Sequence, residues 1–296
     1  MLIALMSDTI LPTPYAYGHG LGRAVYNLGR ELIRRGHEVT LFGLDGSEMP
    51  GGEVVTTRGT EEELAEMVKA LPWPYAVAID AGHKHVLANE QPIPTLAWFQ
   101  DKASKPAPNA VFVSDYCRSE VGIPGEIVRN AIVPDEFPLY EGRRGYWVTF
   151  LGSTVWHKGQ GDAIQAAALA GLPLYDFGHG CRYGPITGTK KVRELQRAIA
   201  ILCPYQIDAG PQVPLEAMAC GTPVIGFAKC AMMEYVPLGG GFLTRSVEDM
   251  AKSVYLAQEM KPSDVRAAVL DAGFTVERQG QEMEDLLTRL LDGETW

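Results

Sequence analysis

Short, largely apolar runs recur along the chain, and between them apolar residues return every three or four positions. Runs at 2–6, 37–44, 76–79, 95–99, 110–113, 146–151, 173–177, 198–202 and 224–227 are bounded by Gly, Pro or polar residues. They read as short buried strands. Helical spacing marks 21–35, where Val25, Leu28, Leu32 and Ile33 share a face, and 61–71, where Leu64, Met67, Val68 and Leu71 do. Further helices are expected at 114–121, 162–170, 190–200, 246–257, 262–272 and 274–291, and the strand at 198–202 overlaps the end of one of them. Strand and helix alternate throughout, the pattern of βαβ units with a parallel sheet.

Length turns this pattern into two domains. The 296 residues are too many for one ordinary core and fit two domains of ~150 residues each. A polar stretch at 138–145 reads as the linker. The expected division is therefore 1–140, 141–273, and a terminal helix segment, 274–296. Apolar residues make up 46% and charged residues 21%, an ordinary globular balance. The net charge of −10 argues against a general nucleic-acid surface, which needs the opposite sign. No run approaches the ~20 apolar residues that span a bilayer. The N-terminus, apolar from its second residue with no basic leader, reads as a first strand rather than a signal peptide. Five cysteines without a C-x-x-C pair read as buried free thiols in a reducing cytoplasm. No D-x-D motif and no His, Cys and carboxylate cluster with ligand spacing is present, so no metal or other cofactor is expected.

The chemistry concentrates between Leu202 and Phe227. A strand closed by Cys203-Pro204 leads into an irregular Asp-Ala-Gly-Pro segment, then a helix expected at 214–219. Pro214 suits its first position, because its fixed φ is helical and its missing N–H would be an orphan there. Gly221 and Pro223 stop it, and a strand follows. Strand, loop and helix N-terminus together bring backbone amides and the positive end of a helix dipole to one place, an anion site. Two acids flank it, Asp208 and Glu216, with seven residues between them. Taken singly each has an ordinary reading: Glu216 as a capping-box acid at the third helical position, Asp208 as a solvated loop residue. Elsewhere, glycines at 18, 20 and 22 occupy a strand-to-helix turn, but their spacing is not G-x-G-x-x-G. Asp45, after the second strand, is the acid a dinucleotide site would use. His83, Gln100 and Asp101 lie just past the ends of strands, where open α/β sheets bind ligands. The acid run at 61–63 reads as a solvated helix start.

Asp208 and Glu216 with Ala-Met-Ala-Cys-Gly-Thr-Pro-Val-Ile after them resemble the donor signature of retaining family 4 glycosyltransferases of the GT-B fold. Gly-Leu-Gly-Arg with Arg-Arg-Gly-His-Glu-Val-Thr-Leu-Phe resembles the opening of such enzymes. Gly152–Gly159 resembles their phosphate turn, 128–137 their interdomain segment, and 234–243 their Glu-x-Val…Gly-Phe-Leu run. The resemblance implies an α/β fold of GT-B architecture: two Rossmann-like, doubly wound domains facing a central cleft, with a C-terminal helix crossing back to the first. It implies transfer of a sugar from a nucleoside diphosphate, with retention and without metal, to a small-molecule, glycan or lipid-linked acceptor. Carried over by position, Lys158 and Asp208 are catalytic. Gly20, Gly22, Gly152, Ser153, Lys158, Gln212, Val213 and Glu216 bind the donor, Asp208 meeting its sugar and Glu216 its ribose. His83, Gln100 and Asp101 bind the acceptor.

Several positions depart from the family pattern. Asp208 replaces the usual Glu, Pro211 and Ala131 replace glycines, and His19 replaces a second glycine. Ser153 stands where an arginine grips the diphosphate, which weakens that grip unless Arg182, Arg129 or Arg23 substitutes. Gln100 or Asp101 occupies the point where a histidine often follows the strand. The loop at 178–188 is shorter than is usual. Other functions remain open on these residues: a binding protein for nucleotide sugars without turnover, or a sugar-nucleotide epimerase of the same fold. A nicotinamide dehydrogenase fits least, because the stronger motif lies in the second half.

Overall fold

A computed structural model describes residues 1–14, 20–70, 77–102 and 104–296, so Gly18, His19, Leu71 and Ala76 lie outside the described residues. The chain divides into two compact units, Met1–Ala131 with Val276–Trp296, and Ile132–Thr275.

The first unit is built on strands β1 (Leu2–Met6), β2 (Glu38–Leu44), β3 (Glu53–Thr57), β4 (Val77–Asp80), β5 (Thr95–Phe99), β6 (Ala110–Phe112) and β7 (Glu126–Ile127). They form one sheet in the order β3-β2-β1-β4-β5-β6-β7, every pair parallel. Leu5 sits opposite Leu41 on one side and Ile79 on the other. The central strands are covered on both faces, so their apolar runs are buried almost end to end. Helices α1 (Gly20–Arg34), α2 (Glu61–Ala70), α3 (Val86–Glu90) and α4 (Asp115–Val121) lie on the connections from β1 to β2, β3 to β4, β4 to β5 and β6 to β7. Strand order reverses between β1 and β4, which opens a crevice at their C-terminal ends.

Three elements of the first unit had no sequence signal. Edge strand β3 has half-exposed residues and an exposed Glu53 in place of an apolar run. Strand β7 is two residues long, and α3 is a five-residue helix bounded by left-handed residues at both ends.

The second unit carries β8 (Val148–Leu151), β9 (Leu174–Phe177), β10 (Ile201–Cys203), β11 (Val224–Phe227) and β12 (Gly241–Thr244). Their order is β12-β11-β10-β8-β9, again all parallel. Helices α5 (Gln160–Leu169), α6 (Gly188–Arg197), α7 (Gln212–Ala219), α8 (Met232–Tyr235), α9 (Val247–Gln258) and α10 (Pro262–Asp271) connect and cover them. The sequence overlap at 198–200 resolves in neither direction: α6 stops at Arg197 and β10 starts at Ile201.

The expected linker at 138–145 lies inside the second unit, which begins at Ile132. Polar contacts hold it there. The Arg266 guanidinium donates to the carbonyls of Pro134, Phe137 and Ala219. Arg144, half-buried, donates to those of Ile199, Gly221 and Ala257. Tyr140 N–H donates to Cys220 O at 3.2 Å. Composition marked a polar segment, and the carbonyl-seeking arginines make it structure.

Helix α11 (Val276–Leu291) belongs to the first unit, where it packs along α1. It starts two residues later than its apolar periodicity suggests, because Phe274 packs on Tyr235 in the second unit with ring centroids 5.2 Å apart. Arg35 Nε donates to Glu284 at 2.6 Å, and Gln279 Nε2 to Arg129 O at 2.8 Å. A Cβ at Gly280 would stand 2.5 Å from Glu31 Cγ, so glycine sets the close approach to α1. Met283 and Leu287 are wholly buried. Leu287→Ala leaves a cavity under α11 and is expected to cost ~2–5 kcal/mol in urea unfolding of the first unit. A loss under about 1 kcal/mol would show that α11 is not part of that core.

Candidate functional site

In the second unit the strand order reverses between β10 and β8, and the loops after these two strands meet. Their contact depends on Gly159. It has φ +72°, and a Cβ there would come within 2.3 Å of Pro204 O. A larger residue would push the loops apart. Gln206 N–H donates to His157 O at 2.8 Å across the same seam. A tight turn over Trp156–Lys158 then places Lys158 Nζ 2.5 Å from Asp208 Oδ2, with the ammonium 4.6 Å from the centroid of the buried Tyr205 ring. Asp208 accepts from Gly210 N at 3.1 Å through its other carboxylate oxygen. Burial and the neighbouring Lys158 ammonium push His157 below its ordinary value. The two residues expected to be catalytic are thus in direct contact.

Gly152 and Ser153 begin the first loop. The segment from 178 to 184 packs onto them: Thr154 N–H donates to His179 O at 3.0 Å, and Cys181 Sγ lies 3.2 Å from Gly152 O. Arg182 is on this segment, exposed, with its guanidinium 5.6 Å from the Tyr183 ring centroid. Arg129 and Arg23, the other candidates to replace a missing arginine, belong to the first unit.

Helix α7 begins at Gln212, two residues before the sequence expectation. Pro214 therefore sits at the third helical position, where its missing N–H still costs nothing because the first four amides have no intrahelical acceptor. Gln212 and Val213 form the opening of the helix, at its positive end. Glu216 falls at the fifth position, no side chain caps the helix, and the capping-box reading is set aside. Its side chain is instead buried, the residue being 5% exposed. Lys191 Nζ from α6 stands 2.5 Å from Glu216 Oε2, a close ion pair at the buried carboxylate. Burial and then the Glu216 charge push the Cys220 thiol, one turn along, up to about 12. Lys191 carried no sequence signal, lying in a polar helix as one of two adjacent lysines.

In the first unit Gly20 and Gly22 open α1, Gly20 exposed and Gly22 buried. Asp45 is tied up in an exposed ion pair with Arg58 at 2.7 Å. The crevice between β1 and β4 holds a charged cluster. His83 Nδ1 lies 2.9 Å from Asp101 Oδ2, and His83 Nε2 lies 3.6 Å from Asp8 Oδ2. Asp101 also accepts from Ser104 N at 3.0 Å and Ser104 Oγ at 3.1 Å. The hydrogen bond to Asp101 and the nearby Asp8 carboxylate outweigh burial and raise His83 to about 10, so it is an imidazolium at neutral pH.

Asp8 was not singled out from sequence, although a polar pair, Ser7-Asp8, directly after an apolar strand was its available signal. Gln100 stands apart from this cluster. Its Oε1 accepts from Asn130 Nδ2 at 3.1 Å, and its buried Nε2 has no partner among the described residues. Glu61 corrects another expectation. Far from solvated, it is 4% exposed and accepts from the backbone amides of His83 at 2.9 Å and Lys84 at 2.7 Å, which fixes the His83 loop.

Among the described residues no group of three or more His, Cys, Asp or Glu is placed to hold a metal ion, and no helix is long and apolar enough to cross a membrane. All five cysteines are free, with Cys181 and Cys230 only half-buried rather than fully so.

Residues 182–268 match the family model of glycosyl transferases group 1, a segment that contains Asp208, Glu216 and Lys191. No curated protein sequence matches the chain. Among solved structures it is similar to AviGT4, a glycosyltransferase involved in avilamycin A biosynthesis, with TM-score 0.85, 20% identity and 99% of each chain covered. It is similar to sucrose-phosphate synthase from Thermosynechococcus elongatus, with TM-score 0.77, 15% identity and 99% of each chain covered. It is also similar to HepE of Anabaena in complex with UDP and glucose, with TM-score 0.74 and 14% identity over 97% of this chain and 99% of that one. The fold is the GT-B α/β architecture, and the likeness to glycosyltransferases of this kind read from the sequence is borne out.

Two outcomes follow from the geometry. Gly159→Ala forces a Cβ onto the Pro204 carbonyl and a strained φ, and is expected to cost more than about 2 kcal/mol in thermal or urea unfolding. Because folding raises His83 above its ordinary 6.5, its contribution is complete below pH 6.5 and fades as pH rises through about 10. Stability of the first unit should fall across that window, and His83→Gln should flatten the fall. A wild-type profile already flat from pH 6.5 to 10 would contradict the imidazolium assignment.

Proposed function

We propose that the chain transfers a sugar from a nucleoside-diphosphate sugar to an acceptor hydroxyl, the second unit holding the donor and the first the acceptor. The match over 182–268 and the GT-B fold support sugar transfer as the reaction class. The observation that carries the site is the contact of Lys158 with Asp208 in the same unit as a buried Glu216 on α7.

In this reading the donor diphosphate lies at the opening of α7, where the helix dipole and first-turn amides favour negative charge. An ammonium has three donors, so Lys158 can keep Asp208 and still reach a phosphate oxygen. Charge builds on the leaving diphosphate as the glycosidic bond breaks, and Lys158 offsets it most strongly at that moment. Asp208 accepts hydrogen bonds from the sugar hydroxyls, and Glu216 from the ribose. The acceptor oxygen attacks on the face the diphosphate leaves, giving retention, and its proton passes to the departing phosphate. The acceptor hydroxyl is oriented at the ends of β4 and β5, where Asp101, Gln100 and the clamped His83 lie. His83, engaged on both ring nitrogens, acts there as a fixed charge rather than as a base.

Stabilisation by Lys158 and α7 assigns no step to a metal ion, so turnover should persist in EDTA. Activity lost on chelation and restored by Mg²⁺ or Mn²⁺ would overturn this mechanism. Glu216→Gln should weaken nucleoside-diphosphate binding by ~10- to 100-fold, the equivalent of one or two charged hydrogen bonds. The deciding experiment screens UDP-, GDP-, ADP- and dTDP-sugars for release of free nucleoside diphosphate, alone and with saccharide acceptors. Lys158→Ala should lower turnover more than it lowers affinity. Binding without release by the wild type, with every donor and acceptor, would favour a nucleotide-sugar-binding protein instead.

A further inference from the structure

We infer that Lys191 is the positioning residue of the nucleotide site, the cation that pairs with the buried Glu216 carboxylate and aims it. The inference rests on the reading of Glu216 as the ribose ligand. Its warrant is the buried carboxylate itself. A carboxylate removed from water costs several kcal/mol unless a counter-charge offsets the loss. Glu216 is 5% exposed, and Lys191 Nζ is 2.5 Å away. One ammonium engages one oxygen of a carboxylate that offers about four acceptor sites, so the group keeps capacity to accept from a ligand's hydroxyls.

Lys191 is itself held in place. Helix α6 is mostly polar, with Leu195 its one buried apolar side chain, so apolar packing alone does not fix it. Polar contacts do. Glu194 accepts from Trp147 Nε1 at 2.6 Å and from Thr149 Oγ1 on β8. Gln196 Nε2 donates to Pro138 O at 2.8 Å, and Thr222 Oγ1 donates to Leu195 O. Lys191 sits one turn before Glu194 on this anchored helix, its ammonium 5.9 Å from the centroid of the buried Phe137 ring. The side chain, 23% exposed, therefore approaches Glu216 from a fixed base along an apolar wall.

The test is a double-mutant cycle on the full chain, read by calorimetry with UDP, GDP, ADP and dTDP. With the tightest-binding nucleotide, Lys191→Met should raise Kd by about tenfold or more, while Lys191→Arg should stay within about threefold of wild type. In a Glu216→Gln background, adding Lys191→Met should change Kd by less than about twofold, because the charge it serves is gone. A loss from Lys191→Met that is equally large in both backgrounds would mark a role in general folding and overturn the inference. So would Lys191→Met binding as tightly as wild type, an outcome that leaves the nucleotide site standing. A wild-type chain that binds none of the four nucleotides would overturn the site and this inference together.

Discussion

A lysine and an aspartate on two separate loops, Lys158 and Asp208, meet because β8 and β10 lie side by side in a parallel sheet. Parallel strands send all their following loops to one edge, and a reversal of strand order spreads two of them apart. Polar residues on those loops come close to one another there, and their charges must be matched. The second unit matches them one for one, Lys158 with Asp208 and Lys191 with Glu216. The first unit uses the same device at its own reversal, where His83 is clamped between Asp8 and Asp101 at the ends of β4, β1 and β5. Removing either partner from such a contact leaves a half-buried charge behind, so these positions couple stability to function.

The charge matching also bears on how a phosphate is held where Ser153 brings no cation. Both lysines near α7 are matched by acids, so the helix dipole and backbone amides add to the attraction a phosphate would feel there. A diphosphate would then share Lys158 with Asp208 rather than meet an unpaired ammonium. Such sharing favours a transition state with greater charge on the diphosphate over the ground state, an arrangement that suits turnover.

Central elements were legible in the sequence because parallel strands are continuous apolar runs: β5 and β11 begin and end where those runs do. Asp208 and Glu216 were legible through their spacing. Elements with little burial were not, as β3, β7 and α3 show, since an edge strand or a one-turn helix leaves no periodicity to read. Pro214 misplaced the start of α7 because proline is tolerated throughout a first turn, not only at its first residue. Glu61 and Lys191 were missed for a shared reason. Each lies in a charged run whose ordinary fate is solvent, and only tertiary structure selects the one side chain that turns inward. Asp8 was missed because its partner, His83, is distant in sequence.

The central claim is that the loops after β8 and β10, with the start of α7, hold a nucleoside diphosphate. Hydrogen–deuterium exchange of the full chain with and without that ligand tests it most directly. The account predicts slowed exchange concentrated in 152–160 and 204–216, with residues 78–101 of the first unit unchanged. Protection centred on 78–101, with 152–160 and 204–216 indifferent to the ligand, would contradict it.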